Sequence, residues 1–194
     1  MIQNSKNQIS LKLIIILYLC FFMFNSCGFY SMAGSIPPHI KNVTIPLIMN
    51  ETAEFGLSES ITDALLKTFN EQGVLNLVDE TIAHSIIRGK IKKVDEGPYT
   101  YNKSESVSEY RYQISVQLEW YDLVKDKSII SSLYTGFGAY GVGGDISSDN
   151  IDNDGDGKID GDDDDEFGDP REFSAKVAVR KISEDLINDI MTTW

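Results

Sequence analysis

The chain has 194 residues, a length that suits one domain with appendages, and 42% of them are hydrophobic, enough for a real core. The formal net charge of −13 is concentrated: residues 145–169 hold 12 acidic residues against a single lysine, Lys158, which leaves only −2 for the rest. The low pI therefore describes one segment, and a whole-surface acidic mimic of nucleic acid, or any nucleic-acid partner, has no support.

The N-terminus reads as an export signal. Lys6 and Lys12 are the only charges before Leu13, and residues 13–24 are uncharged and mostly apolar. Twelve residues are too few for a bilayer core of about 30 Å and fit a signal-peptide hydrophobic region. The string Asn25-Ser26-Cys27-Gly28 follows at once and looks like a bacterial lipobox, with Phe24 where leucine is usual. Cys20 is the rival, but bulky Leu19 precedes it. Cleavage before Cys27 and acylation with two or more chains would hold the protein stably on a membrane. The expected organisation is a signal peptide over 1–26, a lipidated tether over 27–41 with a Pro37-Pro38 pair, and a single domain over 42–194.

Residues 42–50 read as a strand, with Pro46 marking a sheet edge or bulge. Leu57, Ile61, Leu65 and Phe69 recur every fourth residue and predict a helix, capped by Ser58 or Ser60 and ended by Gly73. "VLNLVDE" (74–80) is a short strand or strand start. Over 85–94, Ile87, Gly89 and Ile91 point one way and Arg88, Lys90 and Lys92 the other. Gly97-Pro98 is expected to turn the chain into a polar loop through Ser108. From Tyr110 to Tyr121 apolar and polar residues alternate, a long strand with one buried and one wet face. A short Lys125-Asp126-Lys127 connection then returns the chain as a strand over 129–140, an antiparallel hairpin. Asp169 as N-cap, Pro170 at the first position and Glu172 at the third open a last helix, with Ala178, Ile182, Leu186 and Ile190 as its apolar stripe. These elements predict an α+β two-layer sandwich, two amphipathic helices on one face of a roughly four-stranded mixed sheet.

Several strings in this order resemble the lipopolysaccharide-assembly lipoprotein family, LptE-like: "CGFYS" (27–31), "SIPPHIKNVTIP" (35–46), "NETAEFGL" (50–57), "VDE" (78–80) and "IIRGKI" (86–91). The resemblance covers residues 27 to about 143, and the last helix from Pro170. It implies an outer-membrane lipoprotein on the periplasmic side that fills the lumen of a large β-barrel partner, helps it assemble, binds lipopolysaccharide during delivery and is not an enzyme. The insertion at 144–169 departs from the family pattern, so its role does not carry over. The rival reading is a periplasmic lipoprotein that activates a cell-wall synthase or serves a secretion pore. A lipid-anchored hydrolase is disfavoured, because His39 and His84 sit in no nucleophile or metal-ligand spacing.

Three groups of residues are candidate sites. Cys27 is the lipid anchor. Arg88, Lys90 and Lys92 form a basic stripe suited to phosphates of a lipid, with cross-strand pairing to carboxylates such as Glu119 and Glu109 as the alternative. In "DNDGDGKIDGDDDDE" (152–166), Asp152, Asp154, Asp156, Asp160 and Asp163 fall at positions 1, 3, 5, 9 and 12 of a calcium loop. Gly157 stands at position 6 and Lys158 would lend its carbonyl. Aspartate in place of glutamate at the last position predicts weak Ca²⁺ binding; no cofactor is otherwise expected. Outward Gln113, Ser115 and Gln117 suit a polar barrel lumen, and Tyr99, Tyr101, Tyr134 and Tyr140 are expected mostly to serve packing.

Overall fold

The computed structural model of the protein describes residues 36–142, 150, 152, 157–159, 162 and 168–192. The strands are β1 (Asn42–Thr44), β2 (Met49–Asn50), β3 (Asn76–Leu77), β4 (Ser85–Tyr101), β5 (Val107–Asp122) and β6 (Lys127–Gly141). The helices are α1 (Leu57–Gln72) and α2 (Pro170–Thr192), with a 3₁₀ turn at Glu80–Ile82. Strand order is β3-β1-β4-β5-β6, and β2 continues the β1 lane along β4. β1, β2 and β3 run parallel to their neighbours, while β4, β5 and β6 form an antiparallel meander. The α+β sandwich is as the sequence predicts, with six strands in place of about four.

The count differs because the first predicted strand is broken. Val43 faces Ser85 and Met49 faces Lys90, so six steps on one side match five on the other. Pro46, which has no N–H to donate, lies in this break. Helix α1 repairs part of it: the buried N–H of Ile48 donates to Thr62 Oγ1 at 3.0 Å.

α1 places Leu57, Ile61, Leu65 and Phe69 against the sheet, all buried. Its cap differs from expectation. The N-cap is Gly56 at φ 77°, whose carbonyl accepts the Ser60 N–H, so Ser58 and Ser60 lie inside the first turn. Gly73 ends the helix in the left-handed region at φ 60°, its N–H donating to the Phe69 carbonyl. α2 begins as predicted, with Asp169 Oδ1 accepting the Glu172 N–H at 3.0 Å. Its stripe of Ala178, Ile182, Leu186 and Ile190 is fully buried.

Between the layers lies the even-numbered face of β5, Tyr112, Ile114, Val116, Leu118 and Trp120, all buried. Each such side chain contributes about 1.5–3 kcal/mol when fully removed from water. α2 rests directly on the β6 backbone. A methyl group on Gly136 would lie 2.0 Å from the Ala178 carbonyl oxygen, and one on Gly138 would lie 2.3 Å from that of Ser174. Small residues on both sides permit this approach.

Gly97-Pro98 does not turn the chain. β4 continues to Tyr101, and Pro98 pairs with Tyr110 beside a register irregularity, the kind of place where a strand tolerates proline. The turn comes at Asn102, whose side-chain oxygen accepts the N–H groups of Ser104 and Ser106, with Glu105 at φ 62°. The second turn is held by Asp122 Oδ1, which accepts the Val124 and Lys125 N–H groups. Residues 36–41, the end of the expected tether, lie against the domain: Ile40 is buried and His39 Nε2 meets buried Asp122 Oδ2 at 2.7 Å.

Candidate functional site: the open face of the sheet

Both helices lie on one face, so the other carries the outward half of every strand. β4 gives it Arg88, Lys90 and, past a bulge at Lys92, Lys93. β5 gives Arg111, Gln113, Ser115, Gln117 and Glu119, and β6 gives Ser131, Leu133, Thr135 and Phe137. The long period-2 alternation in β5 is what sorts these residues from the core. Hydroxyl and amide groups link the strands here, Ser115 to Thr135 at 3.2 Å and Gln117 to Ser131 at 3.3 Å.

The predicted basic stripe is assembled on this face, and its charges are paired. Arg88 Nε donates to Glu119 Oε2 at 2.8 Å, and its guanidinium lies 4.8 Å from the Tyr121 ring centre. Glu51, just beyond β2, takes Lys90 at 3.2 Å and Lys92 at 2.7 Å. Hydrogen bonds from Lys92 and then Lys90 hold the Glu51 carboxyl below its ordinary pKa. Burial works to raise Glu119, but the bonds from Arg88 and Ser128 and the Arg88 charge together outweigh it, and the carboxyl also sits low. Lys93 in turn meets Asp95 at 2.6 Å. Glu119 was foreseeable as a cross-strand partner; Glu51 was not, because its position depends on the β1–β2 break. Glu109 instead accepts a hydrogen bond from Thr100.

Arg111 is different. Its guanidinium lies 5.6 Å from the Tyr99 ring centre and 5.7 Å from that of Phe137, and the two rings are 6.0 Å apart. The sequence marks Arg111 only as an outward residue, and its aromatic neighbours align only once the register shift after Pro98 is known. The four singled-out tyrosines divide. Tyr134 is buried, with its hydroxyl donating to Asp189 at 2.7 Å. Tyr140 stacks on Tyr110 and donates to Glu96. Tyr99 and Tyr101 are exposed.

A second charged cluster ties the layers together beside the start of α2. Arg171 donates to Glu96 and Glu54, each at 2.8 Å, and stands 4.7 Å from the Tyr112 ring centre. Burial would raise Glu96, but the bonds from Tyr140 and Arg171 prevail and lower it. The cluster joins the loop before α1, strands β4 to β6 and α2. Its role is architectural.

Of the other predicted site residues, Cys27 lies outside the described residues, as do Asp154, Asp156, Asp160 and Asp163. Asp152 and Lys158 are described. Asp152 Oδ2 accepts the Gly157 N–H at 3.0 Å, and Gly157 has φ 93°.

No curated protein matches the sequence. Among solved structures, the protein XCC0632 from Xanthomonas campestris shares the fold at TM-score 0.51, with 8% identity over 79% of this chain and 85% of that one. A minor lipoprotein from Acinetobacter baumannii aligns at TM-score 0.45, with 10% identity over 79% of this chain and 94% of that one. The rare lipoprotein B from Shewanella oneidensis aligns at TM-score 0.43, with 11% identity over 79% and 96%. Residues 40–194, the whole sandwich with its insertion, match the family described as lipopolysaccharide-assembly, LptE, and the chain belongs to that family.

Proposed function

We propose that the protein is a lipid-anchored assembly factor of the outer membrane. It sits on the periplasmic side, occupies the lumen of a large lipopolysaccharide-exporting β-barrel and binds lipopolysaccharide on its way to the surface. The observation that carries this reading is the family match across the entire sandwich. The open face supports it, because a polar sheet surface of Gln113, Ser115, Gln117 and paired charges suits the polar interior of a barrel. The role is one of binding and assembly rather than catalysis, and the anchor is Cys27.

Arg88, Lys90 and Lys92 are candidates for lipopolysaccharide phosphates, each exchanging Glu119 or Glu51 for the ligand. Replacing all three by Glu and measuring lipopolysaccharide binding tests them; unchanged binding removes them. Partner identity is tested by purifying the tagged, full-length protein from cross-linked envelope membranes. A large β-barrel protein is the expected companion. Recovery of a peptidoglycan synthase or a secretion pore in its place would reject the reading.

The insertion is proposed as a weak calcium loop of Asp152, Asp154, Asp156, Lys158, Asp160 and Asp163. Gly157 supports this, since its left-handed φ at position 6 gives the sharp turn such loops need. Calorimetry with Ca²⁺ should show binding that Asp154→Ala and Asp156→Ala abolish. Equal heats from wild type and variants would leave only an acidic tract.

A further inference from the structure

We propose that Arg111, flanked by Tyr99 and Phe137, forms a binding site for a phosphorylated sugar. This rests on the lipopolysaccharide reading above and names the part of the ligand that the open face takes. Among the described residues of that face, Arg88, Lys90, Lys92 and Lys93 are each bonded to a carboxylate. Arg111 instead sits over two aromatic rings at 5.6 and 5.7 Å. Contact with ring faces steadies a guanidinium while leaving its in-plane N–H donors unspent. Those donors form a planar fork that fits a phosphate bidentately. Glu109, two residues before Arg111 in β5, accepts a hydrogen bond from Thr100.

The rings supply the second half of the site. Tyr99 is 44% exposed and Phe137 45%, so each keeps apolar surface in water beside the cation. The C–H face of a sugar ring could lie there with its phosphate on Arg111. The neighbours Gln113 and Thr135 offer amide and hydroxyl groups to sugar hydroxyls from adjoining outward positions. A phosphate arriving at Arg88, Lys90 or Lys92 must displace a bonded carboxylate, whereas Arg111 is bonded to none among the described residues.

The test uses the mature chain with Cys27→Ser, titrated with lipopolysaccharide, with enzymatically dephosphorylated lipopolysaccharide and with inorganic phosphate. Arg111→Gln should weaken binding of the intact ligand by about tenfold or more, the scale of losing one charge-assisted pair. Dephosphorylation should weaken wild-type binding to a similar degree and leave Arg111→Gln little changed. Tyr99→Leu with Phe137→Leu should weaken binding of both forms, because the sugar contact is lost. Melting curves of each variant establish that it is folded. If Arg111→Gln binds like wild type while the Arg88, Lys90, Lys92 triple variant fails, this site is wrong though the protein still binds lipopolysaccharide. Inorganic phosphate competing as well as the intact ligand would refute the sugar component. Absence of wild-type binding would remove both readings.

Discussion

Replacing Gly136 with Ala tests how α2 sits on the sheet. The added methyl would lie 2.0 Å from the Ala178 carbonyl oxygen, 2.9 Å from its carbonyl carbon and 3.0 Å from Ile182 Cγ1. Two of these three atoms belong to the helix backbone, so no rotamer change relieves the contact. α2 must lift from β6, which loosens packing along Ala178, Ile182 and Leu186, all fully buried. Overpacking of this kind typically costs 1–3 kcal/mol, and a backbone clash places the cost near the top, at about 3 kcal/mol. For a domain of this size that is a fall in Tm of about 6–12 °C. Urea unfolding followed by the fluorescence of buried Trp120 reads it directly. Gly97→Ala is the control, because nothing lies within 4 Å of the added methyl. Ala178→Gly should not rescue Gly136→Ala, since the obstacle is the carbonyl and not the Ala178 side chain. A Gly136→Ala protein within about 0.5 kcal/mol of wild type, the range of an ordinary surface change, would show that α2 does not rest on this backbone.

Other substitutions probe separate joints. Arg171→Ala should cost about 1 kcal/mol by thermal melting: it removes two ion pairs and a ring contact, but the side chains are more than a third exposed or nearly so, and solvent screens them. Gly73→Ala should cost about 1 kcal/mol through backbone strain alone, because φ is 60° and no atom lies within 4 Å of the new methyl. At Asp122, burial pushes the carboxyl up, yet hydrogen bonds from the Lys125 N–H, His39 and the Val124 N–H together hold it below the ordinary value. A carboxyl lowered in the folded state adds stability above its unfolded pKa and loses it as pH falls through the folded one. Wild type should therefore lose stability below about pH 4 more steeply than Asp122→Asn, and parallel acid melts would rule this out.

The legible parts of the fold were those governed by one local period. β5 alternates from Tyr112 onward because one face packs under α2 and the other meets no further layer among the described residues, so Tyr112 to Trp120 could be placed in the core from spacing alone. Both helices followed from residues four apart, and the Asp169–Pro170 start was readable because capping chemistry is local. The misreadings fell where tertiary contact decides. Pro98 resembles a turn residue, but an edge irregularity accommodates it and the hairpin runs on to Asn102. Ser58 and Ser60 resemble caps, but Gly56 starts the helix earlier. At the candidate site the stripe of Arg88 and Lys90 was visible as a pattern, while its neutralisation by Glu51 needed the chain path through the β1–β2 break. Arg111 was visible only as polar, because Tyr99 and Phe137 reach it from the two neighbouring strands.

The acidic insertion leaves the sandwich at two points that are fixed without it. On one side β6 is paired with β5 as far as Gly141 opposite Glu109. On the other, Asp169 caps α2 and Arg171 locks the helix start to Glu54 and Glu96. None of these bonds draws on the residues between, so shortening the insertion leaves both anchor points in place, and what changes first is the cost of closing the loop. Halving a flexible loop lowers its closure cost by about 0.6 kcal/mol. Replacing residues 144–167 with a Gly-Ser linker about half as long should therefore leave the urea midpoint in EDTA unchanged or slightly raised. If the loop takes calcium, adding Ca²⁺ should raise the wild-type midpoint, since a ligand that binds only the folded state stabilises it, and should leave the shortened protein unmoved. A shortened protein that fails to fold in EDTA would mean that the insertion is part of the sandwich, and the main function could not then be sought in the sheet face alone.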